Sequence, residues 1–474
     1  MSERTNEFLG QNIAVIGLAA TGLATARVLQ GLGANVTVYD GKPESELDAA
    51  RVAEAREIVG VRLQFGTSEI DWANTDLVVP SPGVPRYAPP LVEAVQRGVL
   101  VLGEIEVAYR LAQAPILAIT GTNGKTTTTA LLGAICRAAG LQTWVAGNIA
   151  EDAGVRLPLI QAAMRAPAQG VIVAEISSFQ LEWVYKFRPK VAAWLNLSAD
   201  HLDRYKDMAE YARAKSNIFR AQTADDVAVI NGDDYETIRY SEGVGKAQRG
   251  AFTVEGGFVA HYSKGEDSIT YSKEGWLSAY YRQEHAFVGP LPLPGRHNRA
   301  NMIAAVGMAD AIGVPLEMMA RAIKTFKGVA HRMEFVRDVN GVRYINNSMC
   351  TNPAAVKASV SAIDTPLVAI AGGLHKGGDL APMAAPLAKH ARRVVLIGQS
   401  KAEVADALQR EGYAPEDIAF AETLPDAVAQ AAHVAQPGET VMLVPGCASF
   451  DMFTGFEQRG QVFRDAVNAL EGDA

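Results

Sequence analysis

Cysteine is scarce: Cys136, Cys350 and Cys447 are the only three in 474 residues. They form no close pair and no zinc-ligand spacing with histidine, which excludes a disulfide framework and a structural zinc site and points to a reducing compartment. No run of about 18 apolar residues occurs. The opening MSERTNEFLGQNIAVIG lacks the apolar stretch of a signal peptide, so a cytoplasmic protein without a membrane span is expected. The net charge of −8 comes with no block of like charges, which removes nucleic acid and membrane surfaces as partners. Small anionic ligands remain, held by local lysines and amides. Solenoid repeats and low-complexity linkers are also missing.

What is there suits a soluble protein, 49% hydrophobic and 20% charged, too long for one core. The pattern divides into three α/β blocks, expected as domains at 1–108, 109–328 and 329–474. Strand, glycine turn, helix and strand succeed one another in the first, as a parallel Rossmann-like sheet requires. The second starts with a phosphate loop and continues through GVIVAEISSFQLEW, VAAWLNLSADHLDRY and VAVING. Between Gly250 and Val288 it changes to short aromatic and Thr-containing alternations, an expected antiparallel patch on that domain. The third has strands at PLVAIAGG, RRVVLIG and ETVMLVPG with amphipathic helices between, again Rossmann-like. A monomer is expected.

Leu117 to Ala130 reads LAITGTNGKTTTTA. The general phosphate-loop pattern places a glycine where Ile119 stands, so the match is partial. What survives is a buried strand, a tight turn of Gly121, Thr122, Asn123 and Gly124, and a helix N-terminus whose free N–H groups suit an anion. Lys125 would reach outer phosphates, Thr126 would offer magnesium a hydroxyl, and Thr127 follows on the same turn. Glu175 ends the strand GVIVAE, where a carboxylate could share that magnesium. Asn148, Ser177, Gln180, His201 and Asp203 lie at neighbouring strand ends, where ligands gather in open α/β sheets. Lys215, on a helix, reads by itself as a solvated lysine.

The first block carries GLAATG from Gly17 to Gly22, with Asp40 closing the next strand at the separation of a ribose-binding acid. Ala19 occupies the place of the middle glycine of a dinucleotide fingerprint, which disfavours a nicotinamide cofactor. A nucleotide diphosphate at that helix N-terminus remains open, with further amides supplied by the SPGV stretch that starts at Ser81 and runs through Pro82 and Gly83.

Taken in order, TGTNGKTTT, GNI, EISSFQLE, NLSADHLDRY, YARAKSNIF, LPGRHNRANMIAA, HRMEFV, GGLHKGGD and PGCASFDMFTGFEQRGQVF resemble the Mur ligases of bacterial cell-wall synthesis. The resemblance runs from the GLAATG turn nearly to the C-terminus, and the CASFDMF and FEQRG strings are most similar to the branch that adds D-glutamate to UDP-N-acetylmuramoyl-L-alanine. It implies that ATP phosphorylates the alanyl carboxylate and that an incoming amine displaces the phosphate. It implies Lys125 on the β- and γ-phosphates, Thr126 with Glu175 on one magnesium, and His201 on a second magnesium with Lys215, carbamylated on its side chain. Asn298 and Asn301 would reach adenine and Arg332 the phosphates. Asn148, Ser177 and Gln180 would line the muramoyl-alanine path, and Ala20, Thr21, Asp40 and Ser81 to Gly83 would hold the uridine diphosphate. Thr351, Lys376, Ser449 and Phe456 match the glutamate pocket. Family members carry Asp-Ser-Lys-Ala-Thr-Asn where this chain reads NNSMCTN, so Asn347 replaces the acid, Met349 the lysine and Cys350 the alanine. Asn347 would still hydrogen-bond a ribose hydroxyl. The alternatives are a ligase for another amino acid, such as L-glutamate, and a regulatory NTPase. Cys447 reads as a small buried residue, and Asp451 and Glu457 as supports of a loop.

Overall fold

The computed structural model describes residues 3–149, 156–201, 204–254, 258–262, 268–271, 276–279, 284–289, 295–375 and 377–472. They form two compact units, Met1–Pro292 with Arg296–Phe326, and Leu293–Gly295 with Lys327–Ala474. The first unit holds two sheets.

One is five-stranded and wholly parallel, running Arg62–Phe65, Asn35–Asp40, Asn12–Ile16, Leu77–Pro80, Leu100–Val101. Its central strand is almost continuously buried, as a strand covered by helices on both faces must be. The other sheet has ten described strands. Six are parallel: Gln248–Thr253, Val227–Asn231, Val191–Trp194, Ile116–Thr120, Val171–Glu175 and Thr143–Gly147. Phe258–Tyr262, Ser268–Tyr271, Trp276–Ala279 and Glu284–Phe287 continue it as an antiparallel run. The expected antiparallel patch is there, but its first strand, Gln248–Thr253, pairs parallel with Val227–Asn231.

The pattern break at residues 108 and 109 is not a break in packing. Ile105, Ala108 and Leu111, from the helix Glu104–Leu111, share one core with Leu159, Ile160 and Phe187 of the second block. On the other face of the ten-stranded sheet, the helices Lys125–Ala138, Arg296–Asp310 and Leu316–Thr325 cover a second core. The last of these buries Leu316, Met319, Ala320 and Ile323, the stripe a surface helix turns inward.

The second unit's sheet runs Glu334–Val339, Val342–Asn346, Thr440–Gly446, Leu367–Gly372, Ala391–Ile397, Ile418–Phe420. It is mixed where a Rossmann-like pattern suggested parallel strands throughout: the first two form an antiparallel hairpin. Asn340 and Gly341 turn it at φ 51° and 77°, the positive pair that a two-residue primed turn needs. No helix among the described residues is long and apolar enough to cross a membrane.

Glu104 is buried at the start of its helix, where Oε1 accepts the backbone N–H of Ile160 at 2.6 Å and Oε2 has no partner. Burial outweighs the backbone hydrogen bonds and pushes its pKa from 4.5 up to about 7. The folded state therefore holds this proton more tightly than the open chain, so the stabilisation is complete below pH 4.5 and is lost as pH rises through 7. Relative to Glu104→Gln, the wild type should lose roughly 3 kcal/mol between those limits. Urea denaturation followed by tryptophan fluorescence measures it, because all five tryptophans lie before residue 327 and report on the first unit alone. Parallel pH profiles for the two proteins would overturn the prediction.

Candidate functional site

Register decides what meets at the carboxyl edge of the ten-stranded sheet. Ile119 pairs with Glu175, Gly147 also with Glu175, and Thr120 with Trp194. Three chain reversals therefore open side by side: the glycine loop after Thr120, Asn148 after Gly147, and Ile176 to Gln180 after Glu175.

The glycine loop is held by its neighbours. Thr122 N–H donates to the Asn196 carbonyl at 3.1 Å, and Asn123 N–H to Asn196 Oδ1 at 2.8 Å. Gly124 caps the helix Lys125–Ala138 with φ 83°, and a Cβ built there would sit 2.2 Å from Asn301 Oδ1. Only glycine combines that conformation with that approach. Asn301 is thus buried against the loop, and Asn298 lies one turn earlier on the helix Arg296–Asp310. Thr126 and Thr127 are buried in the first turn of the loop's helix.

Two amines converge on one backbone oxygen. Lys125 Nζ donates to the Gly121 carbonyl at 2.9 Å and to that of Thr122 at 3.0 Å, while Lys215 Nζ donates to the Gly121 carbonyl at 2.8 Å. Lys215 is 1% exposed, and the helix Met208–Ser216 places it inward, so it is not the solvated lysine its surroundings in the sequence suggest. Burial first, and Lys125 next, pull its pKa well below the usual lysine range.

Glu175 is buried, with Oε1 accepting from Asn148 Nδ2 at 3.1 Å and Oε2 without a partner. A buried carboxylate oxygen of this kind is what a cation would complete. Ser177 donates from both N–H and Oγ to Gln180 Oε1, at 2.9 and 3.0 Å. His201 is partly exposed, in left-handed backbone at φ 55°, and its ring centroid lies 4.7 Å from that of Phe179. Asp203 lies outside the described residues. Among the described residues no three His, Cys, Asp or Glu side chains converge on a metal position. A divalent cation here would draw much of its shell from hydroxyl, phosphate and water oxygens.

In the first sheet, Asp40 closes its strand as expected. Its oxygens accept the N–H groups of Leu18 and Lys42, at 2.9 and 3.0 Å, so it shapes the loop that leads to Ala20 and Thr21. Ser81 Oγ donates to the Gly17 carbonyl at 2.7 Å and brings Pro82 and Gly83 beside the glycine turn. Gly22 is needed there, because a Cβ would sit 2.2 Å from the Gly17 carbonyl oxygen.

In the second unit, Arg332 stands between two left-handed residues, His331 at φ 62° and Met333 at 46°. Asn347 is buried, accepting from Met333 N–H at 3.1 Å and donating to Ser359 Oγ at 2.8 Å. Both ends of its amide are engaged within the unit. Arg459 is 1% exposed and donates to Ser348 Oγ and O and to the Cys447 carbonyl, at 3.0, 2.8 and 3.1 Å. Burial lowers its pKa to about 10. It ties the segment carrying Met349, Cys350 and Thr351 to the one carrying Ser449. Cys447 is buried, and its thiol is pushed up to about 11, against a nucleophilic role. Asp451 accepts from Gln399 N–H at 2.8 Å. Phe456 starts the helix Phe456–Asn468, its ring 6.4 Å from that of His331. Lys376 lies outside the described residues. Sequence reasoning passed over Arg459 and, in the first unit, Arg204 and Glu182. All three sit in quoted strings, but their role is to bind other segments, which no local pattern announces.

A strand, glycine loop and helix N-terminus in a wide parallel sheet, with lysines on the loop and a buried carboxylate at the next strand end, define a phosphate-binding α/β protein of three sheets. The family models agree in more detail: the Mur ligase MurD-like N-terminal domain matches residues 11–103, the Mur ligase middle domain 119–309, and the Mur ligase glutamate ligase domain 331–447. The chain belongs to the Mur ligase family. It is 40% identical to the UDP-N-acetylmuramoylalanine--D-glutamate ligase of Caldanaerobacter subterraneus subsp. tengcongensis, over 98% of this chain and 99% of that protein. It is 41% identical to the ligase of the same name from Pelobacter propionicus, over 98% and 100%. Among solved structures it is similar in fold to MurF from Acinetobacter baumannii, at TM-score 0.60, 20% identity and 98% of both chains. The UDP-N-acetylmuramate-alanine ligase MurC from Thermotoga maritima matches at TM-score 0.56, 19% identity, and 97% and 99% of the two chains.

Gly124→Ala should strain the left-handed cap by about 1 kcal/mol and press on Asn301, so ADP should bind at least roughly tenfold more weakly. Calorimetric titration with ADP is the check. Unchanged affinity would mean the loop does not hold the phosphates.

Proposed function

We propose that this chain joins D-glutamate to UDP-N-acetylmuramoyl-L-alanine at the expense of ATP, in the synthesis of peptidoglycan precursors. The observation that carries this reading is identity near 40% to ligases of that name over nearly the whole chain. A carboxylate is a poor electrophile, so the γ-phosphoryl group of ATP passes to an oxygen of the alanyl carboxylate, giving an acyl phosphate and ADP. The glutamate amine attacks the acyl carbon and loses a proton, and the carbon–oxygen bond to phosphate breaks. An amide and inorganic phosphate leave.

Under this reading the divisions 1–108, 109–328 and 329–474 serve the UDP-substrate, ATP and the amino acid. Ala20, Thr21, Asp40 and Ser81 to Gly83 hold uridine diphosphate. Gly121 to Thr127 surround the phosphates, with Lys125 moving from the loop carbonyls to the nucleotide, and Asn298 and Asn301 serve adenine. Arg332 and Asn347 are assigned to ATP, and Asn148, Ser177 and Gln180 to the muramoyl-alanine arm. Thr351, Lys376, Ser449 and Phe456 are assigned to glutamate. The unpartnered oxygen of Glu175 and the buried Thr126 hydroxyl fit a magnesium ion, and His201 with carbamylated Lys215 would hold a second. Magnesium neutralises phosphate charge as it is transferred. A buried amine whose pKa is lowered gives up its proton more readily, and the free amine can take up carbon dioxide. Carbamylation turns that cation into an anion which can bind metal.

Lys215→Ala should be inactive and partly restored by acetate, since the missing group is an anion. Full activity without acetate would reject the carbamate. The reaction itself is tested by supplying ATP, magnesium and UDP-N-acetylmuramoyl-L-alanine with a panel of D- and L-amino acids, following phosphate release and product mass. D-Glutamate should support turnover, and phosphate should appear only when acceptor and amine are both present. Turnover with L-glutamate or a neutral amino acid but none with D-glutamate would overturn the assignment.

A further inference from the structure

Arg204 follows the His201 turn, its backbone N–H donating to the His201 carbonyl at 3.0 Å. Its side chain is only 10% exposed, and every nitrogen of the guanidinium is used. Nε and Nη2 clasp the two oxygens of Glu182 at 3.0 and 2.7 Å, while Nη1 and Nη2 donate to the carbonyls of Gly83 and Val84 at 3.3 and 3.0 Å. The guanidinium carbon lies 4.1 Å from the centre of the Phe179 ring, which in turn meets the His201 ring at 59°, centroids 4.7 Å apart. Gly83 follows Ser81, whose hydroxyl closes on Gly17. One side chain therefore joins the glycine turn of the five-stranded sheet to the reactive edge of the ten-stranded one. Tyr87, further along the same loop, donates its hydroxyl to Glu210 as a second tether.

We propose that Arg204 is a positioning residue that couples occupancy of the Ser81–Val84 loop by a nucleoside diphosphate to the placement of His201 and Phe179 at the phosphoryl-transfer edge. The coupling is mechanical. A diphosphate settling on the amide of Gly83 sets where the carbonyls of Gly83 and Val84 lie, and those carbonyls, with Glu182, set the plane of the guanidinium. The guanidinium plane orients Phe179, against which the imidazole rests. Lysine could keep the charge but neither the two-pronged clasp on Glu182 nor the flat stacking surface. The proposal rests on the ligase reading for its substrate, and assigns to it a residue that touches neither substrate nor phosphate.

Two variants test it: Arg204→Lys, and the pair Arg204→Met with Glu182→Gln, which avoids leaving a buried carboxylate without its cation. In the ligand-free protein the paired variant should speed amide exchange at residues 82–87 and around His201, with the glycine loop at 121–124 unchanged. Calorimetry should give roughly tenfold weaker binding of UDP-N-acetylmuramoyl-L-alanine and unaltered binding of ADP. Turnover should fall roughly 10²-fold at saturating substrates, and Arg204→Lys should lie between. Equal loss of ADP and UDP-substrate affinity would mean general destabilisation and overturn the proposal, as would wild-type exchange and kinetics in both variants. The exchange comparison needs no turnover, so it decides the role of Arg204 even if the wild type fails to ligate D-glutamate, a failure that would count against the ligase reading alone.

Discussion

The parallel pairing of Ile116–Thr120 with its two neighbours is the constraint on which the first unit depends. Parallel strands need long crossovers, so their carboxyl ends all open on one edge and their connections all return on the other. The register then sets Ile119, Gly147 and Glu175 level with one another, and Thr120 level with Trp194 one residue further on. Without it, the phosphate loop would be a turn with a lysine on it. With it, that turn meets a second lysine, Lys215, beside the strand that ends in the buried carboxylate of Glu175.

Placing so many charged groups inside the protein is costly, and the solutions differ from residue to residue. Glu106, fully buried, accepts the backbone N–H groups of Tyr185, Lys186 and Phe187 and pairs with Arg110. Arg459 and Arg204 spread their charge over several oxygens through the planar guanidinium, a geometry an ammonium lacks. Lys215 and Glu104 are managed differently: each moves its pKa toward the uncharged form. The structural charges are neutralised by partners, whereas burial of Lys215 pulls its pKa well below the usual lysine range.

The hairpin of the second unit and the burial of Lys215 illustrate two kinds of hidden information. Asn340-Gly341 is a turn signal written in two adjacent residues, masked by the Rossmann-like alternation that follows. Nothing near Lys215 marks it as buried. Its neighbours Arg213 and Asn217 are polar, and its environment is made by Gly121, some ninety positions away, whose carbonyl it meets. Asp40 is the reverse case: its position at a strand end was legible, but its hydrogen bonds to Leu18 and Lys42 needed the folded loop.

The sequence by itself determined the buried strands, the glycine turns and the helix starts, because apolar runs, left-handed backbone and capping are settled within a few residues. It also determined the phosphate loop, whose amides and lysine are contiguous. Only the tertiary structure decided that the first two blocks share a core, that Glu175 keeps an open oxygen, and that Arg204 joins two sheets. Those outcomes depend on which distant segments exclude water from a given side chain, and burial of that kind is a property of the packed chain, not of any stretch of it.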